Sequence, residues 1–151
     1  MALTFQREQY TEAFGQEVQP LAEMHNKEIG GVLSDLSVRV PQEMYEQFQA
    51  TGVLRLYTLR EDGEVKGYNT FMVMQHPEYG LPMAQHDAMF LHPSVRVGFN
   101  AIKFLRWCDE QLKADGVAVV TQHVTAALDF GAMLRRAGYR HHETIYIKRL
   151  N

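Results

Sequence analysis

The stretch between residues 84 and 121 limits what this chain can fold into more than any other part of it. Ala84 to Leu91 reads as a strand, stopped by His92-Pro93. Phe99 to Ala114 reads as a helix whose apolar positions Ala101, Leu105, Cys108 and Leu112 step by four, three and four, a one-sided stripe. Gly116 ends the helix, and Val117 to Thr121 is a short apolar run of the kind buried on both faces of a sheet. Strand, helix, strand is a crossover unit, and a crossover joins parallel strands. The preceding segment demands the opposite pairing. Leu54–Leu59 and Val65–Met74 are strands joined through Glu61-Asp62-Gly63-Glu64, an Asp-Gly turn, and so form an antiparallel hairpin. Gly67, inside the returning strand, marks a bulge or a close approach of another backbone. The sheet is therefore mixed.

The remaining segments supply helices. Tyr10, Phe14 and Val18 stand four apart and predict a helix over residues 6–19. Pro20 is expected to break or restart it, leaving Leu21 to Ile29 as a second helical piece that Gly30-Gly31 ends. Residues 32–40 read as a loop or short extended piece, Pro41 to Phe48 as a short helix stopped by Gly52, and 75–81 as a loop. Downstream, residues 125–137 predict a helix closed by Gly138, and Arg140 to Lys148 a last strand. No repeat, low-complexity tract or linker interrupts the chain, so residues 1–151 read as one domain. The expected class is α/β, of the α+β kind, with a mixed, mostly antiparallel sheet flanked by helices on both faces.

Composition narrows the function classes. Hydrophobic residues make up 46% and charged residues 22% of 151, enough for a packed core and against disorder. Cys108 is the single cysteine, so no internal disulfide can form and a reducing, cytoplasmic setting is expected. The first seven residues lack the apolar run of a signal peptide, and no stretch approaches the ~18 apolar residues of a membrane span. The net charge of -3 argues against non-specific nucleic-acid binding. That charge is uneven, with 6 basic and 12 acidic side chains in residues 1–85 against 9 and 6 in residues 86–151. A mildly basic C-terminal half suits a compact anionic ligand such as a nucleotide cofactor, although chance scatter of surface charge explains it equally.

The segment Leu91-His92-Pro93-Ser94-Val95-Arg96-Val97-Gly98-Phe99-Asn100-Ala101, set between a strand and an amphipathic helix, resembles the cofactor-binding segment of the Gcn5-related N-acetyltransferases. The family pattern is Arg or Gln, two residues, Gly, one residue, then Gly or Ala. Arg96 and Ala101 stand at the right span, Phe99 occupies the place of the central glycine, and Gly98 lies one residue early. Ala137-Gly138-Tyr139 is similar to the family's terminal-helix signature, and the likeness runs over roughly residues 53–150 by element order. Gln122-His123-Val124 and Asp129-Phe130-Gly131 further resemble members encoded by bacteriophages.

The resemblance implies acetyl-coenzyme A as cosubstrate, with its pyrophosphate on the backbone N–H groups of Val97, Gly98, Phe99, Asn100 and Ala101. Four such donors are unsatisfied at a helix start, and the helix dipole favours an anion there. Arg96 adds positive charge. It also implies that the strand before this loop splays from its neighbour, so that the backbone of Met89, Phe90 and Leu91 holds the pantetheine arm and the acetyl carbonyl.

Transfer to an amine needs a base, an oxyanion donor and an acid for the leaving thiolate. The family's usual acid is a tyrosine four residues before the glycine of the terminal signature, and Leu134 stands there. Asp87, in the strand leading to the loop, and His123, at the end of the next strand, are the catalytic candidates. Their plainer readings are a solvated strand residue and a hydrogen-bonded loop histidine. His86 points to the face opposite Asp87. Glu143 and Tyr146 are secondary candidates for the acceptor side. His141 and His142 face opposite ways on a strand and cannot chelate together, so no metal is expected. Cys108 falls on the buried helix stripe and reads as core.

Three functions follow from these residues: an N-acetyltransferase acting on a primary amine of a small molecule or protein, a protein of the same fold that binds without turnover, and an unrelated binding module. The acceptor is open, with the acidic N-terminal half favouring a cationic one. Oligomeric state is open too, a homodimer being common in such folds.

Overall fold

The chain forms a five-stranded sheet in the order β1-β2-β3-β4-β5 in a computed structural model that describes residues 2–39 and 41–151. Val40, at the end of the expected loop 32–40, lies outside the described residues, as does Met1. Strands β1 (Leu3–Glu8), β2 (Leu54–Glu61), β3 (Glu64–Gln75) and β4 (Pro82–Leu91) pair antiparallel with their sequence neighbours. β5 (Val119–Thr121) pairs parallel with β4, joined to it by helix α3 (Asn100–Ala114). The crossover therefore produces the parallel pair, and the Asp-Gly turn at Asp62-Gly63, both residues at positive φ, produces the hairpin.

Helices α1 (Glu12–Ile29) and α2 (Gln42–Ala50) lie on one face, where Phe14, Val18 and Leu21 of α1 pack on Leu56, Val65, Tyr68 and Phe90. Helix α3 and the short α4 (Gly131–Arg136) lie on the other, where Phe104, Leu105, Cys108 and Leu112 are fully buried with Tyr57, Leu59 and Phe71. Two cores, one per face, give the expected mixed sheet with helices on both sides.

Several boundaries differ from the sequence reading, each for a physical reason. Residues 3–8 are a strand and not the start of a helix: Leu3 and Phe5 alternate toward the α3 core while their backbone pairs with β2. The helical spacing of Tyr10, Phe14 and Val18 takes effect only after Thr11, whose hydroxyl accepts from the Phe14 N–H at 3.0 Å. α1 then runs unbroken through Pro20, because burying its apolar stripe outweighs the one backbone bond that proline cannot donate. β5 is shorter than expected and lies at the sheet edge, with Val119 37% exposed and not buried on both faces. α4 begins at Gly131, where the Asp129 carboxylate accepts from the Gly131 N–H at 2.7 Å and holds the chain in a turn. Arg140–Lys148 forms no strand. Its residues find no ladder partner, Ile145, Tyr146 and Ile147 stay exposed, and Arg149 is tied to the Asp35 carboxylate at 2.7 and 2.9 Å.

Candidate active site

The site begins where two neighbouring strands part. β4 and β5 pair over only three positions, Met83–Gln85 against Val119–Thr121. At the fork, side chains replace the ladder. The His86 N–H donates to Thr121 Oγ1 at 3.3 Å, and the His123 N–H donates to His86 Nδ1 at 3.1 Å. Beyond that wedge Met89, Phe90 and Leu91 remain paired with β3 but have no strand partner on the β5 side. The gap leaves backbone polar groups available to a ligand arm.

β4 also carries a bulge. Thr70 pairs with Ala88 and Phe71 with His86, so Asp87 is the extra residue. A bulge re-aims a side chain, and here Asp87 turns into a cavity of about 280 Å³ under α1 and α2, walled by Val18, Ala22, Ile29 and Leu56. Its Oδ2 accepts the Tyr45 hydroxyl at 2.6 Å and the Thr70 hydroxyl at 3.0 Å. Tyr68 and His25 line the same cavity, with His25 Nδ1 3.0 Å from Tyr68 Oη. Burial, reinforced by the Asp87 charge, raises the Tyr45 and Tyr68 phenols far above their ordinary range, so both stay protonated and can donate. Burial also lowers His25, against an opposing pull from Glu28, and favours the neutral ring.

His86 projects away from that cavity, with its ring against Phe71 and edge-on to His123, at 5.7 Å from each. Because Nδ1 accepts the His123 N–H, the ring proton is assigned to Nε2, which is buried and lacks a well-formed hydrogen bond among the described residues. Desolvation, and then His123, pushes the His86 pKa down to about 3. His123 itself is exposed, two residues past the end of β5. Asp87 and His123 thus lie on opposite sides of the β4 bulge, with His123 held by His86, the chain neighbour of Asp87.

Past β4, a short 3-10 turn (Pro93–Val95) leads to the start of α3. Gly98 adopts φ +57°, a left-handed conformation that side chains rarely take, with open space where a Cβ would stand. The glycine one residue early in the sequence is thus the turning residue, and Phe99 points outward, 70% exposed. Asn100 N–H is used by Val97 O and Lys103 N–H by Phe99 O, but the N–H groups of Val97, Gly98, Phe99, Ala101 and Ile102 have no acceptor among the described residues. A cavity of about 530 Å³ adjoins them, lined by Ile102, Met133 and the cationic Arg106 and Arg136. Unsatisfied donors at a helix start beside two cations fit a diphosphate. Arg96 turns away from this cavity: its Nε donates to Leu91 O at 2.7 Å, its guanidinium pairs with Glu28 at 2.7 Å and covers the Phe90 ring. It braces the loop against α1.

Leu134, at the position of the family tyrosine, is buried in the α3 core. Cys108 is fully buried, and desolvation raises its thiol well above the ordinary range, as suits core packing. Glu143 and Tyr146 lie on the exposed C-terminal segment, away from the strand on which they were placed.

Sequence reasoning missed His25, Tyr45, Tyr68 and Thr70. The readable signal was His25, which continues the stripe Phe14, Val18, Leu21 by a further four residues and so puts a polar ring at a core-facing position.

No family model matches the chain, and no curated protein matches it in sequence. Solved structures do match it in shape. A ribosomal-protein-alanine N-acetyltransferase from Brucella melitensis biovar Abortus 2308 superposes with a TM-score of 0.73 at 14% identity, over 99% of this chain and 100% of that one. An aminoglycoside acetyltransferase from an uncultured soil metagenomic sample gives 0.76 at 10% identity, over 99% and 97%. A predicted acetyltransferase from Clostridium acetobutylicum, solved with acetyl-CoA, gives 0.68 at 12% identity, over 99% and 97%. The forked strands, the bulge and the donor-rich helix start stand on a sheet and helix arrangement that is the Gcn5-related N-acetyltransferase fold.

Proposed function

We propose that the protein is an acetyl-coenzyme A-dependent N-acetyltransferase acting on a primary amine. The observation that carries this reading is the pairing of a β4–β5 fork with unsatisfied N–H groups at the start of α3, next to the cavity into which Asp87 projects. The N–H groups of Val97, Gly98, Phe99, Ala101 and Ile102 and the cations Arg106 and Arg136 bind the phosphates, and the open edge of β4 at Met89–Leu91 takes the pantetheine arm. Bound acetyl-coenzyme A supplies the activated acetyl group as a thioester.

The chain's own residues do the rest. The amine enters the cavity as an ammonium, and Asp87 takes one proton from it, held in place by Tyr45 and Thr70. The nitrogen then bonds to the acyl carbon, the carbon–sulfur bond breaks, and His123 returns a proton to the sulfur. The second ammonium proton leaves to solvent. With Leu134 in the core, His123 replaces the family's tyrosine as acid. The test is thiol release from acetyl-coenzyme A against a panel of amines, with Asp87→Asn and His123→Gln. Loss of a positioned acid or base lowers kcat by about 10²-fold or more, and full activity in both variants would contradict the assignment. Transfer is set in the cytoplasm, where the free Cys108 stays reduced.

The proposal extends to a homodimer. Ile145, Tyr146, Ile147 and Leu150 are exposed on the C-terminal segment, an apolar strip that a second copy would cover. Light scattering is expected to give twice the monomer mass, reduced to the monomer by Tyr146→Glu; a monomeric wild type contradicts it.

A further inference from the structure

The charges in the acceptor cavity are of opposite sign and few. Among its described lining residues Asp87 is the one acid and Arg39 the one arginine or lysine, and burial favours the neutral ring of His25. Asp87 Oδ2 is engaged by Tyr45 and Thr70, which leaves Oδ1 for an ammonium. Arg7, Arg55, Arg60, Arg96 and Arg149 all pair with carboxylates. Arg39 lines the cavity, is exposed, and has no hydrogen bond or ion pair among the described residues. A guanidinium presents a planar fork of donors that matches a carboxylate. Much of the remaining lining is apolar or aromatic: Val18, Ala22, Ile29, Leu56, Tyr45 and Tyr68.

We propose that the acceptor is a small zwitterion of the amino-acid class, with its amine at Asp87, its carboxylate at Arg39 and an apolar side chain against Val18, Ala22, Ile29 and Leu56. This names the acceptor within the acetyl-transfer reading and rests on it. A polycationic acceptor such as an aminoglycoside meets one carboxylate here and an unpaired guanidinium that repels its other ammonium groups. The aminoglycoside acetyltransferase described above shares the fold but not, on this reading, the acceptor class.

Calorimetric titration separates the proposal from the reading beneath it. Phenylalanine, 2-phenylethylamine and tobramycin are each titrated into wild type, Arg39→Gln and Arg39→Lys, and acetyl-coenzyme A is titrated separately. Wild type is expected to bind phenylalanine about tenfold or more tightly than 2-phenylethylamine, the discrimination of one charge-assisted contact. That ratio should fall to about one in Arg39→Gln and recover in part in Arg39→Lys. Equal binding of the two probes, tighter tobramycin, or an unchanged ratio in Arg39→Gln overturns the zwitterion assignment, even if acetyl-coenzyme A binds. Selective phenylalanine binding without acetyl-coenzyme A binding keeps the acceptor assignment and removes acetyl transfer.

Discussion

At the residue scale, single positions hold the strands where the site needs them. A Cβ on Gly67 would stand 2.3 Å from Leu91 Cδ2 and 3.0 Å from Phe90 O, so β3 has no room for a side chain beside the residues assigned to the pantetheine arm. Gly67→Ala must push that edge outward, at a cost of about 1–3 kcal/mol, read as a lower urea midpoint with unchanged slope. His86 makes a separate prediction. Its folded pKa of about 3 lies below the ordinary 6.5, so between those values the unfolded chain holds the extra proton. Stability is therefore full above pH 6.5 and falls as pH drops toward 3, by at most about 1.4 kcal/mol per unit from this group. His25, also lowered, acts in the same direction. Melting of His86→Gln between pH 7 and pH 4 should shift less than wild type; an equal shift contradicts the assignment. Asp87 was legible as a candidate because it precedes the phosphate loop in a readable strand. Its partners were not, since Tyr45 and Thr70 reach it from elements 42 and 17 residues away.

At the element scale, α3 and the β2–β3 hairpin were legible, whereas β1, the continuity of α1 through Pro20 and the absence of a terminal strand were not. α3 declared itself because four stripe residues repeat over most of its 15 positions. β1, six residues long, shows too few alternations to outvote the helical spacing that follows it. The terminal strand failed for a different reason: sequence shows strand propensity, while a strand also requires a partner edge. Short elements are held by single contacts, which makes them testable. The Tyr139 hydroxyl donates to Asp109 Oδ1 at 2.5 Å and ties the end of α4 to α3. Burial raises the Asp109 carboxyl above its ordinary value while that hydrogen bond opposes the rise. Tyr139→Phe leaves Asp109 without its donor and should cost about 1–3 kcal/mol, seen as a lower melting temperature; no change would place the two side chains in solvent.

At the scale of the whole molecule, fold class followed from one crossover and one hairpin, because together they dictate a mixed sheet with a helix packed on it. The cavity that holds Asp87 did not follow, since α1, α2, β3 and β4 meet there only once the chain is folded. What unites the parts is a division across the sheet, with α3 and α4 on one face and α1 and α2 on the other, which the proposed function assigns to donor and acceptor. The central claim is that the start of α3 binds the cosubstrate through backbone N–H groups turned by Gly98. Isothermal titration with acetyl-coenzyme A tests it most directly, in wild type and in Gly98→Val, which a β-branched side chain at φ +57° strains. Micromolar binding by wild type that Gly98→Val weakens by about tenfold or more is the expected result. No binding by wild type at millimolar acetyl-coenzyme A, or equal binding by the variant, would contradict the account.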